Sequence, residues 1–157
     1  MRNFNAKIET WDYKLVSFMQ RTAVPFARFA IFLVYFYFGA IKVFAENGAA
    51  NPLVVALLNK TLHGVPPGGF LICFGVFEMI IGLLFIVPKM ERLGLFFLAI
   101  HMITTIMPLI LLPQFTWASF GVPTIEGQYI IKNILIIALA IVVFASLTPL
   151  KEERTNV

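Results

Sequence analysis

The sequence predicts an all-α polytopic membrane protein, a four-transmembrane-helix bundle preceded by an amphipathic N-terminal helix. Three observations predict it. Of the 157 residues, 60% are hydrophobic and 13% are charged, where a soluble domain is nearer half and a quarter. Four stretches, 25–44, 69–87, 93–112 and 128–147, suit helices that cross a hydrocarbon layer of about 30 Å, which takes about 20 residues each. The basic residues follow topology. Arg2, Lys7, Lys14, Arg21 and Arg28 stand before or at the start of the first stretch, Lys89 and Arg92 fill the turn between the second and third, and Lys151 and Arg154 follow the fourth. By the positive-inside rule, both termini are expected in the cytoplasm and the two longer loops outside. The net charge of +4 therefore carries no nucleic-acid signature.

In residues 1–24, Phe4, Ile8, Trp11, Leu15 and Met19 recur at helical spacing, with Lys7, Lys14 and Arg21 seven apart beside them. This amphipathic segment suits the cytoplasmic membrane surface, where its basic residues favour anionic lipid. Packing against the cytoplasmic end of the bundle is the alternative. The pattern lacks the apolar core and small-residue cleavage site of a signal peptide. Span one is expected to begin at Pro25, which a first helical turn tolerates. Within it, Arg28 reads as a residue that snorkels to the interface, whereas Lys42 shares a face with Tyr35, Gly39 and Glu46.

The outward segment 45–68 contains a short helix capped by Asn51, with Leu53, Leu57 and Leu58 facing the bundle mouth or the interface. His63 reads as a polar loop residue. Pro88 and the 89–92 turn predict an antiparallel hairpin of spans two and three. Pro108 predicts a kink in span three. Residues 113–127 form the second outward loop, with Phe115 and Trp117 suited to the interface. Span four follows, and 148–157 is a polar cytoplasmic tail. The single cysteine, Cys73, excludes a disulfide mechanism within one chain and reads as a small core residue.

Polar residues inside the spans carry the functional signal. A charged side chain at mid-membrane costs roughly 2.5–3.5 kcal/mol on insertion scales, so it usually has a buried partner. Glu78 lies near the middle of span two and His101 near the middle of span three. Helical spacing adds Tyr35 and Lys42 in span one, Thr104, Thr105 and Pro108 in span three, and Gln128, Tyr129, Lys132 and Asn133 in span four. The expectation is one outward-opening polar pocket with Glu78 at its floor, ionised only where Lys42, Lys132 or protonated His101 touches it. A salt-bridge cluster that merely ties the helices together stands as the alternative. Gly75 and Gly82, beside Glu78, read as close-packing sites. Two histidines at different levels argue against bis-His haem. No metal or flavin site, phosphate-cradling glycine loop or nucleophilic triad is evident.

Three segments carry a resemblance: 38–42 (FGAIK) ending span one, 75–82 (GVFEMIIG) in span two, and 126–133 (EGQYIIKN) opening span four. With the order of spans, they make residues 25–147 resemble the DoxX/DoxD-like family of four-span membrane proteins. The resemblance implies a bundle in a prokaryotic cytoplasmic (inner) membrane and an association with quinone-linked oxidation of sulfur compounds and redox-stress complexes. Similar eukaryotic proteins act as membrane chaperones or cargo receptors. Lys42, Glu78 and Lys132 carry the family's polar signature.

The first functional expectation is therefore a quinone-associated redox subunit, an oxidoreductase component. Lys132 and His101 would donate to the quinone and Glu78 would relay protons, making these the catalytic candidates. Lys42, Thr104, Thr105, Gln128, Tyr129, Asn133 and Tyr35 would bind the ligand. A non-catalytic assembly or chaperone protein is the second expectation, and a small proton or metabolite carrier the third, although a single four-span chain lacks the repeat pair common in carriers. Expected partners are the lipid bilayer, a membrane or periplasmic redox protein and further copies of the chain.

Overall fold

The computed structural model describes residues 2–45, 52–62 and 64–149, with side chains from residue 7. Expectations that rest on Glu46, Asn51, His63 or the tail beyond 149 lie outside the described residues. The elements in order are α1 (Arg2–Phe44), α2 (Pro52–Thr61), α3 (Pro67–Ile86), α4 (Glu91–Ile106), α5 (Pro108–Leu111), α6 (Pro113–Thr116), β1 (Trp117–Ser119), β2 (Val122–Pro123), α7 (Ile125–Lys132) and α8 (Ile134–Ala145). Four helical stretches are long and apolar enough to cross a membrane: α1, α3, α4 with α5, and α7 with α8. This is a multi-pass, all-α membrane protein.

Glycine decides which helices meet. A Cβ added to Gly39 would lie 2.5 Å from the Gly75 carbonyl oxygen and 2.9 Å from the Met79 nitrogen. One on Gly75 would lie 2.7 Å from the Gly39 oxygen, and one on Gly82 would lie 2.9 Å from the Phe36 nitrogen. Only hydrogen at these positions lets the antiparallel α1 and α3 backbones touch. In lipid, where no hydrophobic force draws helices together, such close backbone approach supplies the packing. The glycines are close-packing sites, as their place in the sequence suggested.

Around this pair, Ala27, Ile31 and Tyr35 of α1 join Ile81 and Phe85 of α3, Leu98 and Met102 of α4, and Val143 of α8 in one buried cluster. A second cluster closes the loop end, where Leu53 of α2 meets Leu112 and Ile130. The short helix α2 thus lies over the bundle mouth, and Lys60 Nζ donates to the Leu111 carbonyl at 2.5 Å. Elsewhere the large apolar side chains face outward, as expected where the solvent is hydrocarbon.

Proline and turn chemistry set the boundaries. Pro67 opens α3, and Thr124 caps α7 by accepting a hydrogen bond from the Gly127 N–H at 3.1 Å. Pro108 interrupts span three between α4 and α5, because it has no N–H for the Thr104 carbonyl. The loop from Pro113 holds a small antiparallel hairpin with Trp117 opposite Pro123 and Ser119 opposite Val122. Gly121 there has φ 74°, a left-handed conformation that glycine adopts without strain. Trp117 Nε1 donates to the Leu109 carbonyl at 3.1 Å and pins the hairpin to the bundle.

Several features differ from the sequence reading. Pro25 lies inside α1 rather than at its start, and one helix runs from Arg2 to Phe44. A proline inside a helix removes one hydrogen bond and need not end it. Ile8, Trp11, Leu15 and Met19 are each more than half exposed, so the N-terminal part of α1 does not pack on the bundle. Cys73 is exposed on the outside of α3, not in the core. Span four is divided at Asn133 into α7 and α8.

Candidate functional site

The α1–α3 contact brings a buried ion pair together. Lys42, one turn beyond Gly39, extends its ammonium to Glu78, one turn beyond Gly75. The Nζ to Oε2 distance is 2.6 Å, and the side chains are 15% and 8% exposed. Two carboxylate oxygens allow a second partner, and α4 supplies it. His101 Nε2 lies 3.1 Å from Glu78 Oε1. On its other side, His101 Nδ1 lies 3.1 Å from Tyr35 Oη.

One arrangement of protons satisfies every contact in this line. Lys42 donates to Oε2 of the carboxylate, His101 donates from Nε2 to Oε1, and Tyr35 donates its hydroxyl to Nδ1. His101 is then neutral. Thr105 Oγ1 is 3.2 Å from Nδ1 and 2.9 Å from the His101 carbonyl, to which it donates while Tyr35 holds the ring nitrogen. Thr104 donates to the same carbonyl at 2.8 Å. Among the described residues, no buried side-chain nitrogen or oxygen lacks a partner, which is what lets charged groups persist in low dielectric.

Aromatic rings wall the line off from lipid. Phe74 stacks on the His101 imidazole with centroids 5.0 Å apart and planes 22° apart. Tyr35 meets it edge-on at 5.1 Å, and Phe77 lies 6.3 Å away. The Lys42 ammonium also stands 6.0 Å from the Phe74 centroid. The rings hold the imidazole in one orientation. The sequence reading did not single them out, although Phe74 and Phe77 precede Glu78 by four and one, the spacing that puts the first on its face.

The structure therefore joins Tyr35, Lys42, Glu78, His101 and Thr105, with Thr104 bonded beside them. It does not bring the span-four candidates to them by any hydrogen bond or ion pair among the described residues. Gln128, Tyr129 and Lys132 are exposed on α7, and Lys132 Nζ stands 5.3 Å from the Tyr129 ring instead. Asn133 forms the joint where α7 gives way to α8. The Glu78 cluster thus spans three helices, α1, α3 and α4, rather than four.

A second buried glutamate was missed. Glu91, at the first turn of α4, accepts from Arg28 Nη1 at 2.6 Å. Arg28 also donates from Nε to the Phe85 carbonyl at 2.7 Å. Arg28 is thus not a free snorkelling residue: it ties the ends of α3 and α4 to α1. The signal was the single carboxylate of the 87–92 turn opposite the single arginine at the start of span one. No three of the His, Cys, Asp and Glu side chains among the described residues could hold a metal ion together.

The fold and site define the class: a multi-pass α-helical membrane protein with a buried Lys–Glu–His–Tyr line. Comparison with family models, curated proteins and solved structures found no match.

Proposed function

We propose that this chain is a DoxX-like membrane subunit of a quinone-linked redox system in which the Lys42–Glu78–His101–Tyr35 line handles protons. One observation carries the reading: both ring nitrogens of His101 are engaged, one by a carboxylate and the other by a phenol, each at 3.1 Å. An imidazole placed so can take a proton at one nitrogen and release it from the other. A chain built only for cohesion needs no such titratable centre.

The donor chemistry fits a quinone head. The Lys42 ammonium has three N–H groups, of which two point at Glu78 Oε2 and, at 3.5 Å, at the Phe38 carbonyl. Lys42 would donate the third to a quinone carbonyl, and the half-buried Thr104 and Thr105 would flank it. A bound quinone would supply two-electron, two-proton chemistry; the chain would supply the proton path. The placement of Lys and Arg favours both termini on the cytoplasmic side, and the DoxX resemblance implies a prokaryotic inner membrane.

The test is titration of the purified, reconstituted protein with ubiquinone and menaquinone analogues. Saturable binding that Lys42→Met abolishes is the expected result; no binding to the parent protein removes the reading.

A second reading, a non-catalytic assembly protein, is favoured by the complete internal satisfaction of the cluster. Under it, Glu78→Gln lowers the recovery of a native complex and leaves every redox turnover unchanged.

A further inference from the structure

α1 carries an apolar face that no other described element covers. Ile8, Trp11, Leu15 and Phe18 are 51%, 75%, 56% and 59% exposed. Their spacing of three, four and three, with Phe4 before and Thr22 after, is the a/d pattern of a heptad repeat. In that register, Lys7, Lys14 and Arg21 take the g positions and Asp12 an e position, and all four are exposed. The stripe continues down span one through exposed Phe26, Phe29 and Leu33. That side of α1 is opposite the buried Ala27, Ile31 and Tyr35.

A lipid surface or another helix are the two covers such a stripe can have. To lie on the surface, the chain would have to turn through about a right angle before entering span one. α1 makes no such break: it is one helix with Pro25 inside it, and a proline kinks a helix rather than folding it over. Counted back from Pro25, residues 7–24 of this helix extend about 27 Å, at 1.5 Å per residue. Away from lipid, a second helix is the cover that an apolar seam of this kind takes.

Copies of this chain enter the membrane in the same sense, so their extensions run parallel. In a parallel pair, each g residue faces an e residue five further along the second helix. That sets Lys7 against Asp12 of a second copy, twice by symmetry. We propose that α1 is a self-association surface, with two copies pairing in parallel through the seam that runs from Ile8 into span one. This surface is separate from the Glu78 cluster, so failure of quinone binding and failure of pairing are independent results.

Cross-linking of the full chain in reconstituted membranes tests it, in a Cys73→Ser background that removes the native thiol. Leu15→Cys, on the seam, is expected to give disulfide-linked dimer at least about fivefold more readily than Tyr13→Cys, which the heptad places facing away. Asp12→Lys is expected to weaken pairing by about tenfold, since it turns two attractive pairs repulsive, and adding Lys7→Asp restores it. Equal cross-linking from both positions overturns the proposal. So does a monomer at every protein-to-lipid ratio with Trp11 quenched by brominated lipid, which would make α1 a surface helix.

Discussion

Two buried glutamates, each paired with a cation from α1, do different work in this fold. Glu91 and Arg28 sit at one end of the bundle, where Arg28 also binds the carbonyl of Phe85 at 2.7 Å. That arginine is a fixed cation, and it closes the end of α3 with a planar fork that a lysine could not reproduce. Glu78 and Lys42 sit between helices, and besides the Phe38 carbonyl, 3.5 Å from the ammonium, they lead on to His101 and, through it, Tyr35. One pair ends in the main chain. The other ends in two side chains, an imidazole and a phenol, which is why the proposed function rests on Glu78 and not on Glu91.

The largest expected effect separates the two pairs by the charge each would leave behind. Lys42→Ala leaves the Glu78 carboxylate, 8% exposed at its side chain, with His101 as its remaining partner, and breaking a buried ion pair from one side costs about 3–5 kcal/mol. Arg28→Ala leaves Glu91, 11% exposed at its side chain, in the first turn of α4 at the end of the bundle, where water can partly replace the lost cation. Arg28→Ala is therefore expected to cost about 1–3 kcal/mol, the range for a lost charged hydrogen bond. Reversible unfolding in mixed micelles measures both. Equal losses would erase the distinction.

Next in size is the contact that creates the Glu78 pair. Gly39→Ala puts a methyl 2.5 Å from the Gly75 carbonyl oxygen, and overpacking of this kind costs about 1–3 kcal/mol. The α1 and α3 backbones would have to part, which lengthens the Lys42–Glu78 bond. Gly69→Ala, in the first turn of α3 where an added Cβ meets nothing within 4 Å, is the control and should not destabilise, since alanine favours a helix over glycine by up to about 1 kcal/mol. If both behave alike, glycine packing does not position the pair.

Much of this was legible in the sequence, and the reasons the rest was not are physical. The number of spans follows from hydropathy and 1.5 Å per residue, and it needs no tertiary information. Helical spacing also gathered Tyr35 with Lys42 and His101 with Thr105 correctly, because residues seven or four apart share a face whatever lies opposite. It could not say which way that face turns. Lys132 shares a stripe with Gln128 and Tyr129, but α7 directs that stripe outward. Pro25 misled because proline marks a helix start and an interior kink equally well. Arg28 misled because its partner lies 63 positions further along the chain, and only folding reveals which end of α3 and α4 it meets.

The smallest expected effect concerns Lys132, set against Lys42. Lys132 lies near the end of α7, and Tyr129, whose ring its ammonium approaches at 5.3 Å, is one turn nearer the loop. The side chain thus reaches back along α7 toward its loop end, and exposed there it has no buried anion to balance. A cation–π contact at an exposed site is worth only about 0.5–1 kcal/mol, and leucine at this position gains favourable lipid contact in return. Lys132→Leu is therefore expected to leave Tm and quinone titration as in the parent protein, whereas Lys42→Leu alters both. The reverse outcome, quinone binding lost with Lys132 and kept without Lys42, would move the ligand site to the exposed face of α7. The Glu78 line would then be a structural tie of the same kind as Glu91 and Arg28.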